Sequence, residues 1–91
     1  MNISIIIPAY NEEDIIAETI DSVRTHSGKA VAEIIVVDGG STDQTVELAK
    51  QTSVEVLISP QKGRAAQMNV GAEQAKADIL YFLHADSTPP V

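Results

Sequence analysis

Short apolar runs recur along the chain, and each ends in a carboxylate or polar cluster: IIIPAYNEED from Ile5, EIIVVDGGSTD from Glu33 and ILYFLHADS from Ile79. Runs such as Ile34 to Val37 and Ile79 to Leu83 are too short, and too rich in β-branched or aromatic residues, for buried helices. Turn chemistry follows each, so they predict buried strands. The first strand spans Ile3 to Ile7 and stops at Pro8, which has no N–H for a central ladder. Asn11 is the predicted N-cap of the helix that follows. Glu12, Glu13 and Asp14 suit its positive end, and Ile16, Ile20 and Val23 repeat on one face. Ser27-Gly28-Lys29 closes that helix, with Gly28 as a left-handed stop.

The second strand, Glu33 to Val37, runs into a tight turn at Asp38-Gly39-Gly40. Ser41 and Gln44 have capping-box spacing, which predicts a helix from about Thr42 to Gln51. Val54 to Ile58 forms a third strand ending at Ser59-Pro60. After a turn around Gly63, Arg64 to Lys76 reads as a helix. Gly71 inside it weakens the helix by about 1 kcal/mol relative to Ala, which points to a packing reason. A fourth strand, Ile79 to Leu83, delivers His84-Ala85-Asp86-Ser87. The order βαβαβαβ with short loops predicts a right-handed parallel α/β sheet, Rossmann-like, with strand order 3-2-1-4 and three helices. Strand C-termini of such a sheet open on one edge, so Glu12, Asp38 and Asp86 are expected to converge on one rim.

Composition narrows the function. The chain has 91 residues, 44% hydrophobic and 3% aromatic, enough for one small domain with a thin aliphatic core. A net charge of −7 with six Lys and Arg argues against nucleic acid or an anionic membrane as partner. It also means that a phosphate ligand at an acidic rim calls for a divalent cation between the two. The absence of cysteine excludes disulfides, thiolate catalysis and Cys-type zinc sites. The longest apolar stretch, Ile3 to Ala9, is too short to span a membrane and lacks signal-peptide flanks. The default expectation is a cytoplasmic protein without a transmembrane segment, with a membrane-peripheral position open to a longer chain.

The motif residues keep two readings each. Asp38-Gly39-Gly40-Ser41 serves either a closely approaching ligand, with Asp38 accepting from a base or ribose, or simply a Gly-rich turn with a Ser cap. No GxGxxG or Walker A loop is present, which disfavours a nicotinamide cofactor and an ATPase. Asp86 follows a wholly apolar strand and must meet solvent, a donor or a metal; metal ligation is the favoured reading. His84 is a weaker second ligand, since a lone His near a strand end is more often hydrogen-bonded or at the surface. Arg64, with Lys62 and Gly63 at a helix start, suits either a phosphate or a solvated basic turn.

Taken together, SIIIPAYNEE, EIIVVDGGSTDQT and KGRAAQMNVGAEQAKADILYFLHADS resemble the N-terminal half of group 2 glycosyltransferases, the inverting GT-A enzymes that use nucleotide-sugar donors. The resemblance implies that residues 1–91 are the donor-binding half of a GT-A domain, truncated relative to the family. It assigns Pro8, Ala9, Tyr10, Asn11, Glu12 and Asp38 to the nucleoside pocket, with Gly40 also among the donor-binding residues. Gly63, Arg64, Asn69 and Gly71 would lie beside the nucleotide and its phosphates, and Asp86 would bind Mg2+ or Mn2+ at the diphosphate of a UDP- or GDP-sugar. Two departures stand out: Gly39 replaces an acid often found there, and His84 replaces the first acid of the DxD-like motif. The acceptor half and its general base are absent, so these 91 residues alone are not expected to transfer sugar. In the family, further strands continue the sheet, so an uncovered edge and self-association through it are also expected. The alternatives are a non-catalytic nucleotide-binding module and, more remotely, a phosphohydrolase with Asp38 as nucleophile.

Overall fold

The computed structural model describes residues 2–26 and 31–83. Its elements are β1 (Ile3–Ala9), α1 (Ile16–His26), β2 (Val31–Asp38), α2 (Thr45–Gln51), β3 (Glu55–Ile58), α3 (Arg64–Gln74) and β4 (Ile79–Phe82). The four strands form one sheet of order β3-β2-β1-β4, with every pairing parallel. The predicted order is therefore the observed one. Parallel neighbours need crossovers, and the short runs between strands leave room for little besides a helix.

The core has two faces. Ile5, Ile7, Ala9 and Val36 pack with Ile16, Ile20 and Val23 of α1 and Ala49 of α2. On the other face Ile6, Ile35 and Val37 meet Leu57, Val70 and Ala75, placing α3 there. Because side chains alternate along a strand, a run such as Ile5-Ile6-Ile7 feeds both faces at once. That double burial explains why the central strands are continuously apolar rather than alternating.

Three details differ from expectation. Pro8 does not end β1: it lies within the strand, opposite Val37. Ile6 O accepts from Leu83 N and Ala9 O from Gly39 N, so these two carbonyls face opposite neighbours. By two-residue alternation the Pro8 nitrogen faces the β4 side, where the β1–β4 pairing ends at Ile6 and Phe82, so its missing N–H leaves the β1–β2 ladder intact. Secondly, the apolar composition of β4 suggests a buried strand, whereas its place at the edge is the one the predicted strand order requires. Ile79, Leu80, Tyr81 and Phe82 are all exposed, because among the described residues nothing pairs with its outer side. Thirdly, α2 starts at Thr45 rather than Thr42, for a reason that belongs to the site below. The predicted stop at Ser27-Gly28-Lys29 lies outside the described residues.

A partly buried polar link sets the entry to β4. The Ser4 hydroxyl, fully buried in β1, donates to Glu33 Oε2 at 2.6 Å, and the Lys76 N–H donates to the same oxygen at 2.5 Å. Ala77 N–H donates to Ser4 Oγ at 3.2 Å. Burial pushes the Glu33 carboxyl up, but donors from Lys76, Ser4 and Ala77 and the Lys76 charge outweigh it, so its pKa lies below the ordinary value. A depressed folded pKa contributes stability that is complete above the unfolded value, about 4.3, and is lost as pH falls through the folded one. Chemical denaturation followed from pH 6 down to 3 should show this loss, and Glu33→Gln should flatten that part of the profile.

The packing reason for Gly71 is direct. A Cβ there would stand 2.5 Å from Ile6 Cγ2 and 3.2 Å from Val37 Cγ2. Gly71→Ala gains about 1 kcal/mol of helix propensity but overpacks the α3 face of the sheet at about 1–3 kcal/mol. The expected outcome is a net destabilisation, read as a lower urea midpoint with unchanged slope; a raised midpoint would contradict this packing.

Candidate nucleotide site

The C-terminal edge of the sheet carries a cleft of about 470 Å3, lined by Pro8, Ala9, Tyr10 and Glu12 after β1, Gly39 after β2, and Lys62, Gly63, Arg64 and Gln67 at the start of α3. Six predicted site residues thus come together there: Pro8, Ala9, Tyr10, Glu12, Gly63 and Arg64. Asn11, Asp38, Gly40 and Asn69 do not line it, and Asp86 and His84 lie outside the described residues. A second groove of about 390 Å3, lined among others by Arg24, Glu33 and Glu55, sits at the opposite edge and holds none of the motif residues.

Asn11 is not an N-cap. Its backbone has φ 51°, a left-handed value that Asn tolerates better than most residues, and the first helical bonds close instead on Glu12 O, from Ile15 N and Ile16 N. Asn11 Oδ1 accepts from the Thr42 N–H at 2.8 Å, and the Asn11 N–H donates to Ser41 Oγ at 2.8 Å. Glu12 N–H donates to Thr45 Oγ1 at 2.8 Å and Glu13 N–H to Asp43 Oδ2 at 3.2 Å. The residue types favoured at helix starts are here used between two loops, tying the segment after β1 to the segment after β2.

The capping box fails for the same reason. Ser41 faces Asp38 and Asn11, while Asp43 Oδ1 accepts from the Thr45 N–H at 2.9 Å and from the Thr45 hydroxyl. Gln44, which precedes α2, makes no side-chain cap bond. Burial pushes the Asp43 carboxyl up, but the donors from Thr45 and Glu13 prevail and its pKa is lowered.

Asp38 is 2% exposed, and its carboxylate is engaged by its own turn. Oδ2 accepts from Gly40 N at 2.9 Å and Ser41 N at 2.8 Å, and Oδ1 from the Ser41 hydroxyl at 2.5 Å. A carboxylate held in this way is poorly placed as a nucleophile, which removes the support for phosphoester hydrolysis through Asp38. Sequence reasoning missed Gln67, which is 6% exposed and donates from Nε2 to Ala9 O and Val37 O, both at 2.9 Å. Its only sequence signal was a position one helical turn before Gly71 on the same face of α3.

The cleft is chemically mixed. Tyr10 is half exposed and offers an aromatic face, Lys62 and Arg64 bring positive charge, and α3 begins without a side-chain cap, leaving N–H groups of its first turn open to a ligand. Among the described residues no group of three His, Cys, Asp or Glu side chains is placed to hold a metal ion. Glu12 is the one carboxylate lining the cleft among them.

Comparison with known proteins decides the family. The model of glycosyl transferase family 2 matches residues 4–91. The chain belongs to glycosyl transferase family 2. It is 40% identical to glycosyltransferase AglE of Haloferax volcanii over 94 residues, covering 96% of this chain and 31% of that protein. It is 37% identical over 98 residues to a glucosyl-3-phosphoglycerate synthase of Mycolicibacterium paratuberculosis, covering 97% and 29%. Its fold matches the crystal structure of the Mycobacterium tuberculosis glucosyl-3-phosphoglycerate synthase in complex with Mn2+, UDP and phosphoglyceric acid, with TM-score 0.80, 32% identity and coverage of 93% and 33%. The expected GT-A-like α/β fold is therefore observed. The chain spans about a third of the length of these relatives. No helix among the described residues is long and apolar enough to cross a membrane.

The bonds to Asp38 yield a stability prediction independent of any ligand. Asp38→Asn keeps the size but replaces one acceptor oxygen with a donor facing N–H or O–H groups. It should cost about 1–3 kcal/mol without nucleotide present, measured by thermal or urea unfolding. An unchanged midpoint would mean that the turn does not depend on this carboxylate.

Proposed function

We propose that this chain is the nucleotide-sugar-binding half of an inverting glycosyltransferase and that the cleft takes the nucleotide of a UDP- or GDP-sugar. The observation that carries this reading is the convergence of Tyr10, Lys62, Arg64 and the uncapped start of α3 on one cleft at the C-terminal edge of the sheet. An aromatic face suits a base, and paired cations with free helix N–H groups suit a diphosphate. Solved relatives crystallised with UDP and with Mn2+ or Mg2+ support the same assignment. Asp86 is the residue assigned to a Mg2+ or Mn2+ ion, with His84 as a weaker candidate. Such an ion, when bound, offsets charge on a leaving diphosphate.

The reaction proposed for the whole enzyme is attack of an acceptor hydroxyl on the anomeric carbon of the donor, with inversion and release of the nucleoside diphosphate. The acceptor's proton goes to a general base that none of the assigned residues supplies. A non-catalytic nucleotide-binding module shares the same cleft, and turnover with a supplied acceptor separates the two. The exposed apolar edge of β4 favours self-association, and sedimentation velocity over a concentration series should show a reversible shift to larger species.

Calorimetric titration of UDP and GDP, with and without Mn2+, tests the donor site. One of the two should bind in a metal-dependent manner. Asp86→Ala should remove the metal-dependent part, and Arg64→Ala should weaken binding about tenfold through loss of a charged hydrogen bond. No binding of either nucleotide under any condition would overturn the assignment.

A further inference from the structure

Gln67 carries a feature that its structural role leaves over. Both N–H bonds of its carboxamide are consumed, one by Ala9 O and one by Val37 O. The orientation of the amide follows from those partners, since a flipped group would set Oε1 against two carbonyl oxygens. Oε1 is therefore fixed as well, and among the described residues it meets no donor. A carboxamide that is more than nine-tenths buried, lines the cleft and has one unpaired acceptor is costly unless something pairs with it.

The other buried acceptor nearby is not available for that purpose. Asp38 is turned into its own loop, with Gly40 N, Ser41 N and the Ser41 hydroxyl on its two oxygens, and it does not line the cleft. Gly39 makes room for the amide: a Cβ there would stand 3.0 Å from both Cδ and Nε2 of Gln67 and 3.1 Å from Oε1. Gly39 and Gln67 thus form one unit, in which the bare backbone of the first lets the amide of the second reach the cleft floor.

We propose that Gln67 is a specificity-determining residue whose fixed Oε1 accepts a hydrogen bond from an N–H or O–H of the bound nucleoside. The proposal rests on the nucleotide reading of the cleft and assigns it a selection rule. Ligands that bring a donor to this point are accepted, and isosteres lacking it leave a buried acceptor unpaired and are rejected. A base imide N–H and a ribose hydroxyl share this chemistry.

The test is a coupling measurement by calorimetry in the presence of Mn2+. UDP, its N3-methyl analogue and its 2′-deoxy and 3′-deoxy analogues are titrated into the wild-type chain and into Gln67→Met, which conserves volume but offers neither amide group. One analogue should bind the wild type about tenfold more weakly than UDP, and its identity tells whether base or ribose supplies the donor. In Gln67→Met, UDP itself should weaken by a similar factor while the penalty for that analogue disappears. Gly39→Ala, whose Cβ displaces the amide, should reduce the same penalty through a different residue and keeps the test open if Gln67→Met fails to fold. Equal binding of UDP and all analogues to the wild type overturns the proposal and leaves the nucleotide site standing. So does an analogue penalty that persists in both variants, as a purely steric effect of the added methyl would. GDP is titrated alongside, and failure of the wild type to bind either UDP or GDP overturns the nucleotide reading, and this proposal with it.

Discussion

Helix α3 can lie against the β1–β2 pair only because Gly71 has no side chain, and the geometry of the cleft depends on that contact. A Cβ at this position would enter the space of Ile6 and Val37, the two side chains that β1 and β2 turn toward α3. The residues that matter are spaced by four: Gly63 precedes the first turn of α3, and Gln67 and Gly71 share one face of it. The lowest of the three sets the depth of contact. One turn higher, that depth brings Gln67 within 2.9 Å of the carbonyls at the ends of β1 and β2. Another turn up, the helix starts beside Lys62 and Arg64 with its first N–H groups at the cleft. A packing contact in the core thus determines how the ligand-facing end of the helix is presented.

The opposite wall is built from hydrogen bonds rather than from close packing. The loops after β1 and β2 are joined by Asn11 with Thr42 and Ser41, by Glu12 with Thr45 and by Glu13 with Asp43, each pair about thirty residues apart in sequence. Individually such bonds contribute about 0.5–1.5 kcal/mol, but they share donors and acceptors, so the loops are held as one body. Tyr10 and Glu12 sit between these fixed points and line the cleft without depending on a regular element.

This division explains what the sequence made legible. The strands, their order and the placement of the helices follow from apolar runs, turn residues and the handedness of crossovers, which are local or nearly universal. Gly71 was recognisable as a packing residue because its helical cost demanded a compensating contact. The caps were misread because Asn11 and Ser41 are short polar residues, and the helix-capping role that each suggests locally gave way to a bond between the two loops, about thirty residues apart in sequence. Pro8 was misread because the cost of a missing N–H depends on which side of the strand it faces. β4 has the composition of a buried strand, and composition does not record whether a neighbour is present. Gln67 was invisible for the strongest form of this reason, since its partners are two backbone carbonyls and carry no side-chain signal. Asp38 shows the converse: it stands at the end of β2 as expected, but its carboxylate is taken up by its own turn.

That last point changes the electrostatics of the site. A chain of net charge −7 with acids at its strand tips suggests a rim that repels phosphate. Two acids after β2 are already compensated by oriented donors, Asp38 by the N–H groups of Gly40 and Ser41 and Asp43, in the loop before α2, by those of Glu13 and Thr45. A carboxylate surrounded by N–H dipoles projects much less field than a bare one, and the lowered pKa of Asp43 is the titration signature of that compensation. Glu12 lines the described part of the cleft together with Lys62 and Arg64. The acids nearest the rim stabilise its loops, and the cleft itself carries a cationic side able to meet an anion directly.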